Sequence, residues 1–179
     1  RELGHSPDLV REILGLRKER GLLLVSGSFG SGKTTTASAI LDQWVTLERE
    51  VAITLEDPPE LPLKRVTEDR GAIYQVDLTE KPFHVAIKHS RRWAPRYMFL
   101  GEIRTPEAAA ELLHMSISGP MVLCPIHAAD EIQAIVSLCR FASVAMSERS
   151  AREMVAASLH TVLYQQFVNN RLVSRIATI

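Results

Sequence analysis

Residues 27–34, Gly27-Ser28-Phe29-Gly30-Ser31-Gly32-Lys33-Thr34, satisfy the phosphate-loop pattern G-x-x-x-x-G-K-[ST] at every specified position. This stretch restricts the fold more than any other, because the pattern has physical meaning only where a buried strand turns sharply into a helix. The apolar run Gly21-Leu22-Leu23-Leu24-Val25 reads as that strand. Residues 34–47, with Ala37, Ile40, Leu41 and Trp44 at helical spacing, read as the helix. Glycines at 27, 30 and 32 let the backbone approach a polyphosphate, with amide N–H groups and the helix N-terminus turned toward its charge. Lys33 is placed to reach the β- and γ-phosphates, and the Thr34 hydroxyl to ligate Mg²⁺.

At 179 residues the chain can bury roughly 70% of its unfolded surface, so one full core is expected. Lys+Arg and Asp+Glu are both 21, and with zero net charge no direct nucleic-acid partner is predicted. Cys124 and Cys139 lie in apolar stretches and form no C-x-x-C pair, which favours free thiols in a reducing, cytosolic compartment over zinc or a disulfide. No apolar run approaches about 18 residues, so no membrane-spanning segment is expected and membrane association would go through a partner. No signal peptide is visible, and the chain begins at Arg1 without an initiator methionine, as a fragment of a longer protein would.

Ser6-Pro7-Asp8 carries an N-cap, a proline at the first helical position and an acid in the first turn, and opens a helix to residue 20. Val51-Ala52-Ile53-Thr54-Leu55 is a second buried strand, running into the acidic, proline-broken Glu56-Asp57-Pro58-Pro59-Glu60. This segment reads either as a solvated turn or as carboxylates at a strand's C-terminal edge, where open α/β sheets bind ligands. Ala72-Ile73-Tyr74-Gln75-Val76 is a short strand, with Lys64, Arg65, Glu68, Asp69 and Arg70 on exposed connections. Residues 83–93 form a helix whose Lys88, Arg91 and Arg92 complement its C-terminal dipole or contact phosphate. Tyr97-Met98-Phe99-Leu100 is a third apolar strand, ending at Glu102, and Thr105-Pro106-Glu107 caps the next helix. Met121-Val122-Leu123-Cys124-Pro125-Ile126 is a fourth, ending at His127 before a helix started by Asp130. Helices over 131–141 and 148–165, the latter capped by Ser147, precede a last strand over 172–177.

In order and spacing, four of these blocks resemble the boxes of the secretion ATPase superfamily, the ring motors of type II secretion, type IV pili and type IV conjugation or effector export. Residues 27–35 resemble its Walker A box, Ile53-Thr54-Leu55-Glu56-Asp57-Pro58-Pro59-Glu60 its Asp box, Gly101-Glu102-Ile103-Arg104 its atypical Walker B box, and Ile126-His127-Ala128-Ala129-Asp130 its His box. Leu3-Gly4 is similar to the start of the family's C-terminal ATPase domain. Ala156-Ala157-Ser158-Leu159, with Gln165-Gln166 and Val168, is similar to its alanine-rich last helix and the strand beyond.

The resemblance implies an α/β P-loop NTPase fold (RecA-like), with a largely parallel central sheet flanked by helices on both faces. It implies that residues 1–179 are a single C-terminal ATPase domain whose upstream N-terminal domain, a source of arginines for the neighbouring subunit's site, is absent. Gly27, Ser28, Phe29, Gly30, Ser31, Gly32, Lys33, Thr34 and Thr35 would bind ATP. Thr34 and Glu102 would hold Mg²⁺, Glu60 or Glu56 would orient or deprotonate the attacking water, and His127 would sense the γ-phosphate. The family's partners would be further copies in a hexamer and an inner-membrane platform protein, at the cytoplasmic side of that membrane. Thr105, Pro125, Ala128 and Ala94-Pro95-Arg96 stand where the family usually has other residues, and two cysteines cannot form the four-cysteine zinc insertion of some members. The lack of that insertion leans toward retraction-type or type IVB-like relatives. The expected activity is ATP hydrolysis by a ring-forming motor. A nucleotide-binding assembly switch with little turnover is the alternative, separated by turnover in the reconstituted ring. A small-molecule or nucleoside kinase is a third reading, tested by adding candidate acceptors to an ATP-consumption assay.

Overall fold

The computed structural model describes residues 4–67, 69–79 and 81–179; Leu3 and Glu68, which the sequence reading placed at the domain's start and on an exposed connection, lie outside them. Ser6 caps the first helix as expected, its hydroxyl accepting the Leu9 N–H at 3.3 Å. Helix α1 (Pro7–Gly15) buries Leu9 and Ile13, and a 3₁₀ turn (Leu16–Lys18) leads into β1 (Gly21–Gly27), which is buried at every position. Such a run needs cover on both faces. It is followed by α2 (Lys33–Glu48), β2 (Val51–Glu56), β3 (Arg65–Thr67) and β4 (Gly71–Asp77). Next come α3 (Phe83–Ser90), a 3₁₀ turn (Arg91–Trp93), β5 (Tyr97–Leu100), α4 (Pro106–Ser118) and β6 (Met121–His127). Then come α5 (Glu131–Ala145), α6 (Glu148–Ser158), β7 (Leu159–Val168) and β8 (Arg171–Thr178).

These strands form one eight-stranded sheet in the order β3-β4-β2-β5-β6-β1-β7-β8. The contiguous strands β4, β2, β5, β6, β1 and β7 are parallel; β3 and β8 pair antiparallel at the two edges. Parallel pairing sends the C-terminal ends of β2, β5, β6 and β1, which are neighbours, to one edge.

Alternation of side chains divides the core in two. Leu22, Leu24, Ile53, Leu55, Met98, Leu100, Val122 and Cys124 pack with the helices α3 to α6 on one face. On the other, Leu23, Val25, Ile73, Phe99 and Leu123 meet Leu9 and Ile13 of α1 and Ile40, Leu41 and Trp44 of α2. Trp44 is fully buried, donates Nε1–H to the Ile13 carbonyl at 3.1 Å and lies 5.6 Å from the Tyr97 ring, whereas Trp93 is 63% exposed. Just before α1, His5 sits between Ser174 Oγ of β8 (2.8 Å) and Thr36 Oγ1 in the first turn of α2 (3.2 Å).

The expectation of one helix over 148–165 is corrected: α6 stops at Ser158 and the chain continues as β7 from Leu159. The run Leu159-His160-Thr161-Val162-Leu163-Tyr164 is rich in β-branched and aromatic residues, and it completes the parallel block beside β1. Sheet pairing overrides the helical spacing that continues from the alanines. Arg65, expected on an exposed connection, is instead in β3 and half-buried, its guanidinium bonded to Asp42 and to Thr46 Oγ1 on α2.

Candidate functional site

At the C-terminal edge of the sheet, the ends of β1, β2, β5 and β6 enclose a cleft of about 370 Å³. The phosphate loop forms one wall. Gly32, at φ +82°, stands at the N-cap of α2 and offers no side chain to its first turn, so those backbone N–H groups remain available to an anion. Lys33 is 7% exposed and donates Nζ–H to the Ser28 carbonyl at 2.7 Å and to His127 Nδ1 at 3.3 Å. Burial pushes the Lys33 ammonium below its ordinary value, while Glu60 pulls it back up. Burial and the facing Lys33 charge hold His127 below 6.5, against a smaller opposing pull from Glu102, so a neutral imidazole with Nδ1 as acceptor fits both residues. Phe29 at the loop's tip is 92% exposed and stacks on His127, with ring centroids 6.1 Å apart.

Beneath the loop, Gln165 of β7 donates Nε2–H to the Ser31 carbonyl, and both residues are buried. Gly27 passes so close to β7 that a Cβ would lie 2.2 Å from the Gln165 carbonyl oxygen and 2.7 Å from Ser31 Oγ. Gly30, Gly32, Lys33, Thr34 and Thr35 therefore line the cleft along with Phe29, while Gly27, Ser28 and Ser31 shape it from behind.

The opposite wall carries the carboxylates. Glu56, at the end of β2, is 2% exposed, and its Oε1 accepts from Thr54 Oγ1 at 2.6 Å and from Gln75 Nε2 at 2.9 Å. Glu60 follows on the segment leading to β3 and also lines the cleft. Glu102, just beyond β5, is ion-paired with Arg104. The same guanidinium donates to Asp57 Oδ2 at 3.0 Å and to the Asp57 carbonyl at 3.1 Å, tying the ends of β2 and β5 together. Gly101 permits that approach, since a Cβ there would meet Glu56 Cγ at 3.2 Å.

Glu56, Glu60, Glu102 and His127 thus share one cleft with Lys33 and Thr34. The oxygen donors offered for a cation, a threonine hydroxyl and carboxylates, are hard ligands of the kind Mg²⁺ takes together with phosphate oxygens. Among the described residues no group of three or more His, Cys, Asp or Glu side chains is placed to hold a metal by itself. Cys124, on β6, is fully buried and its thiol is pushed up to about 12, so it offers no thiolate.

A family model described as "Type II/IV secretion system protein" matches residues 1–175. The chain belongs to this family. Among curated members it is 30% identical over 159 residues to the competence protein ComGA of Halalkalibacterium halodurans, covering 87% of this chain and 42% of that protein. It is 34% identical over 137 residues to the type II secretion system protein E of Klebsiella pneumoniae, covering 76% and 27%. The chain thus spans less than half the length of these relatives. Among solved structures, the pilus retraction motor PilT with bound ADP superposes with a TM-score of 0.82 at 24% identity, covering 98% of this chain and 51% of that one. The ATPase DotB of Legionella pneumophila gives 0.81 at 20% identity, covering 97% and 49%. These likenesses establish the RecA-like, largely parallel α/β fold of the family.

Sequence reading missed three polar residues that build the site: Gln165, Gln75 and Thr54. The first has a legible signal, because Gln165-Gln166 belongs to the stretch that resembles the family's last helix and strand; the other two acquire meaning only from the β2–β4 pairing that sets Thr54 opposite Gln75.

Proposed function

We propose that this chain is the nucleotide-hydrolysing domain of a ring-forming motor ATPase serving a type II or type IV secretion or pilus machine. The observation that carries this reading is the facing of the uncapped N-terminus of α2, with Lys33 and Thr34, against Glu56, Glu60, Glu102 and His127 in one cleft. The loop backbone from Gly27 to Thr35 and the Lys33 ammonium would hold ATP's phosphates. Thr34 and Glu102 would hold Mg²⁺, which supplies charge neutralisation on the phosphate oxygens when bound. Glu60 and Glu56 would share the orientation of the attacking water, and His127, already within reach of Lys33, would read the terminal phosphate. A loose phosphoryl-transfer transition state calls for positioning and positive charge more than for a strong base, which suits a task divided between carboxylates.

More than half of each longer relative lies outside this match, and a region upstream of this domain would supply further cations to a site shared between the subunits of a hexamer. The partner expected at the membrane is a platform protein of the inner membrane. A second reading, a nucleotide-dependent assembly switch with little turnover, has one observation in its favour: Arg104, a cation of this cleft, is already engaged by Asp57 and Glu102. Steady-state ATP hydrolysis against protein concentration, on this chain and on a form extended upstream, with light scattering for mass, separates the two. Activity that rises as rings assemble supports the motor. ATP binding without turnover in the assembled, extended form overturns it in favour of the switch.

A further inference from the structure

We propose that Gln75 is a positioning residue for hydrolysis: its carboxamide fastens the segment 57–64, which carries Glu60, to the buried carboxylate of Glu56, so that both acids face the phosphate loop as one rigid unit. This role rests on the hydrolytic reading above.

A glutamine side chain can donate two hydrogen bonds and accept two, and Gln75 makes all four. Nε2 donates to Glu56 Oε1 at 2.9 Å and to the Leu61 carbonyl at 2.7 Å. Oε1 accepts the Leu63 N–H at 3.1 Å and the Lys64 N–H at 3.3 Å. The partners fix the amide's orientation, because the flipped form would set its oxygen against two acceptors and its NH₂ against two donors. On β2, Thr54 stands opposite Gln75 in register and gives the second bond to Glu56 Oε1. Two donors on adjacent strands therefore set the rotamer that Glu56 shows to the cleft.

The segment is fastened at both ends. Arg104 holds its start through the carboxylate and carbonyl of Asp57, and Gln75 holds its return through Leu61, Leu63 and Lys64. Just beyond, Arg65 is bonded to Asp42 of α2, the helix that begins at the phosphate loop. Glu60 lies between these anchors. Loss of the Gln75 bonds leaves two N–H groups and a carbonyl of the return without this partner and frees Glu60 to move, and a displacement of about 1 Å at a reacting centre costs on the order of 100-fold in rate. Gln75 makes no hydrogen bond to the phosphate loop, so ground-state nucleotide affinity is spared.

The test compares wild type, Gln75→Leu and Gln75→Glu in the longest natural form containing this chain, assembled at equal concentration. It reads kcat for ATP, Kd for ADP and amide exchange at Leu63 and Lys64. Both variants are expected to lose about 10- to 100-fold in kcat with Kd held within about threefold. Leu63 and Lys64 exchange faster in Gln75→Leu, but stay protected in Gln75→Glu, which keeps the acceptor and loses the donors. Variants with kcat within about twofold of an active wild type overturn the role while leaving the hydrolytic reading intact, as does a parallel loss of kcat and ADP affinity. A wild type that binds ADP without turning over ATP overturns the hydrolytic reading, and this role with it. Should Gln75→Leu fail to fold, Gln75→Glu decides.

Discussion

On one side of the cleft the groups that would meet a ligand are backbone N–H groups and a lysine, on a loop shaped by Gly27, whose neighbours leave no room for a side chain, and by Gly30 and Gly32 at positive φ. On the other side they are carboxylates held by other side chains: Glu56 by Thr54 and Gln75, and Glu102 by Arg104. The first wall takes its form from the chain's path and tolerates little change. The second can be altered one contact at a time while the strands beneath it stay in register. A binding wall and an adjustable wall should therefore fail differently when mutated.

The largest effect is expected from Gly27→Ala. Its Cβ would fall inside contact distance of the β7 backbone at a φ of +154°, so the variant should lose about 3 kcal/mol or more of stability, or not fold, as thermal unfolding will report. Next, Lys33→Ala should leave the melting temperature near wild type but weaken Mg-ATP binding by about 100-fold in a fluorescence titration, since charge-assisted hydrogen bonds to phosphate are lost. Glu102→Ala sharpens the contrast from the other wall: nucleotide binding is retained while hydrolysis falls about 100-fold, and wild-type turnover in this variant would remove Glu102 from its proposed role. Arg104→Ala should lower kcat by about 10-fold through a loosened Asp57, yet change stability by less than about 1 kcal/mol, because the guanidinium is half-exposed and its ion pairs are screened.

The smallest effect concerns pH. Burial holds His5 and His127 below the ordinary 6.5, with Lys33 adding to the effect at His127. The unfolded chain therefore takes up these protons first as the pH falls. Their contribution to stability is fully present above 6.5 and declines below it. Melting temperatures measured on both sides of that value should draw apart less in a His5→Gln/His127→Gln double variant than in wild type. An unchanged gap would assign the acid sensitivity to other groups.

Much of the fold was legible because the strands that carry the boxes are short apolar runs with a polar residue at each exit. Glu56, Glu102 and His127 each close such a run, and parallel pairing makes those exits neighbours. Local chemistry also placed the caps at Ser6, Thr105, Asp130 and Ser147, all of which accept the expected backbone N–H. Where α6 gives way to β7 the β-branched and aromatic residues after Ser158 are a weak local signal against the helical spacing; what decides it is pairing with β1, a partner far away in sequence. The same holds for His5, whose two partners lie 31 and 169 residues away. Arg104 stood in plain view within a box, but its grip on Asp57 depends on β2 and β5 lying side by side.

Trp44 gives the molecule a built-in optical reporter. It lies in the helix that starts at the phosphate loop, sealed against Tyr97, while Trp93, the chain's only other tryptophan, faces water. Emission from the first should be blue-shifted and protected from iodide, and emission from the second red-shifted and readily quenched. Unquenched fluorescence followed during nucleotide addition would therefore isolate the behaviour of α2, without a label and without disturbing either wall.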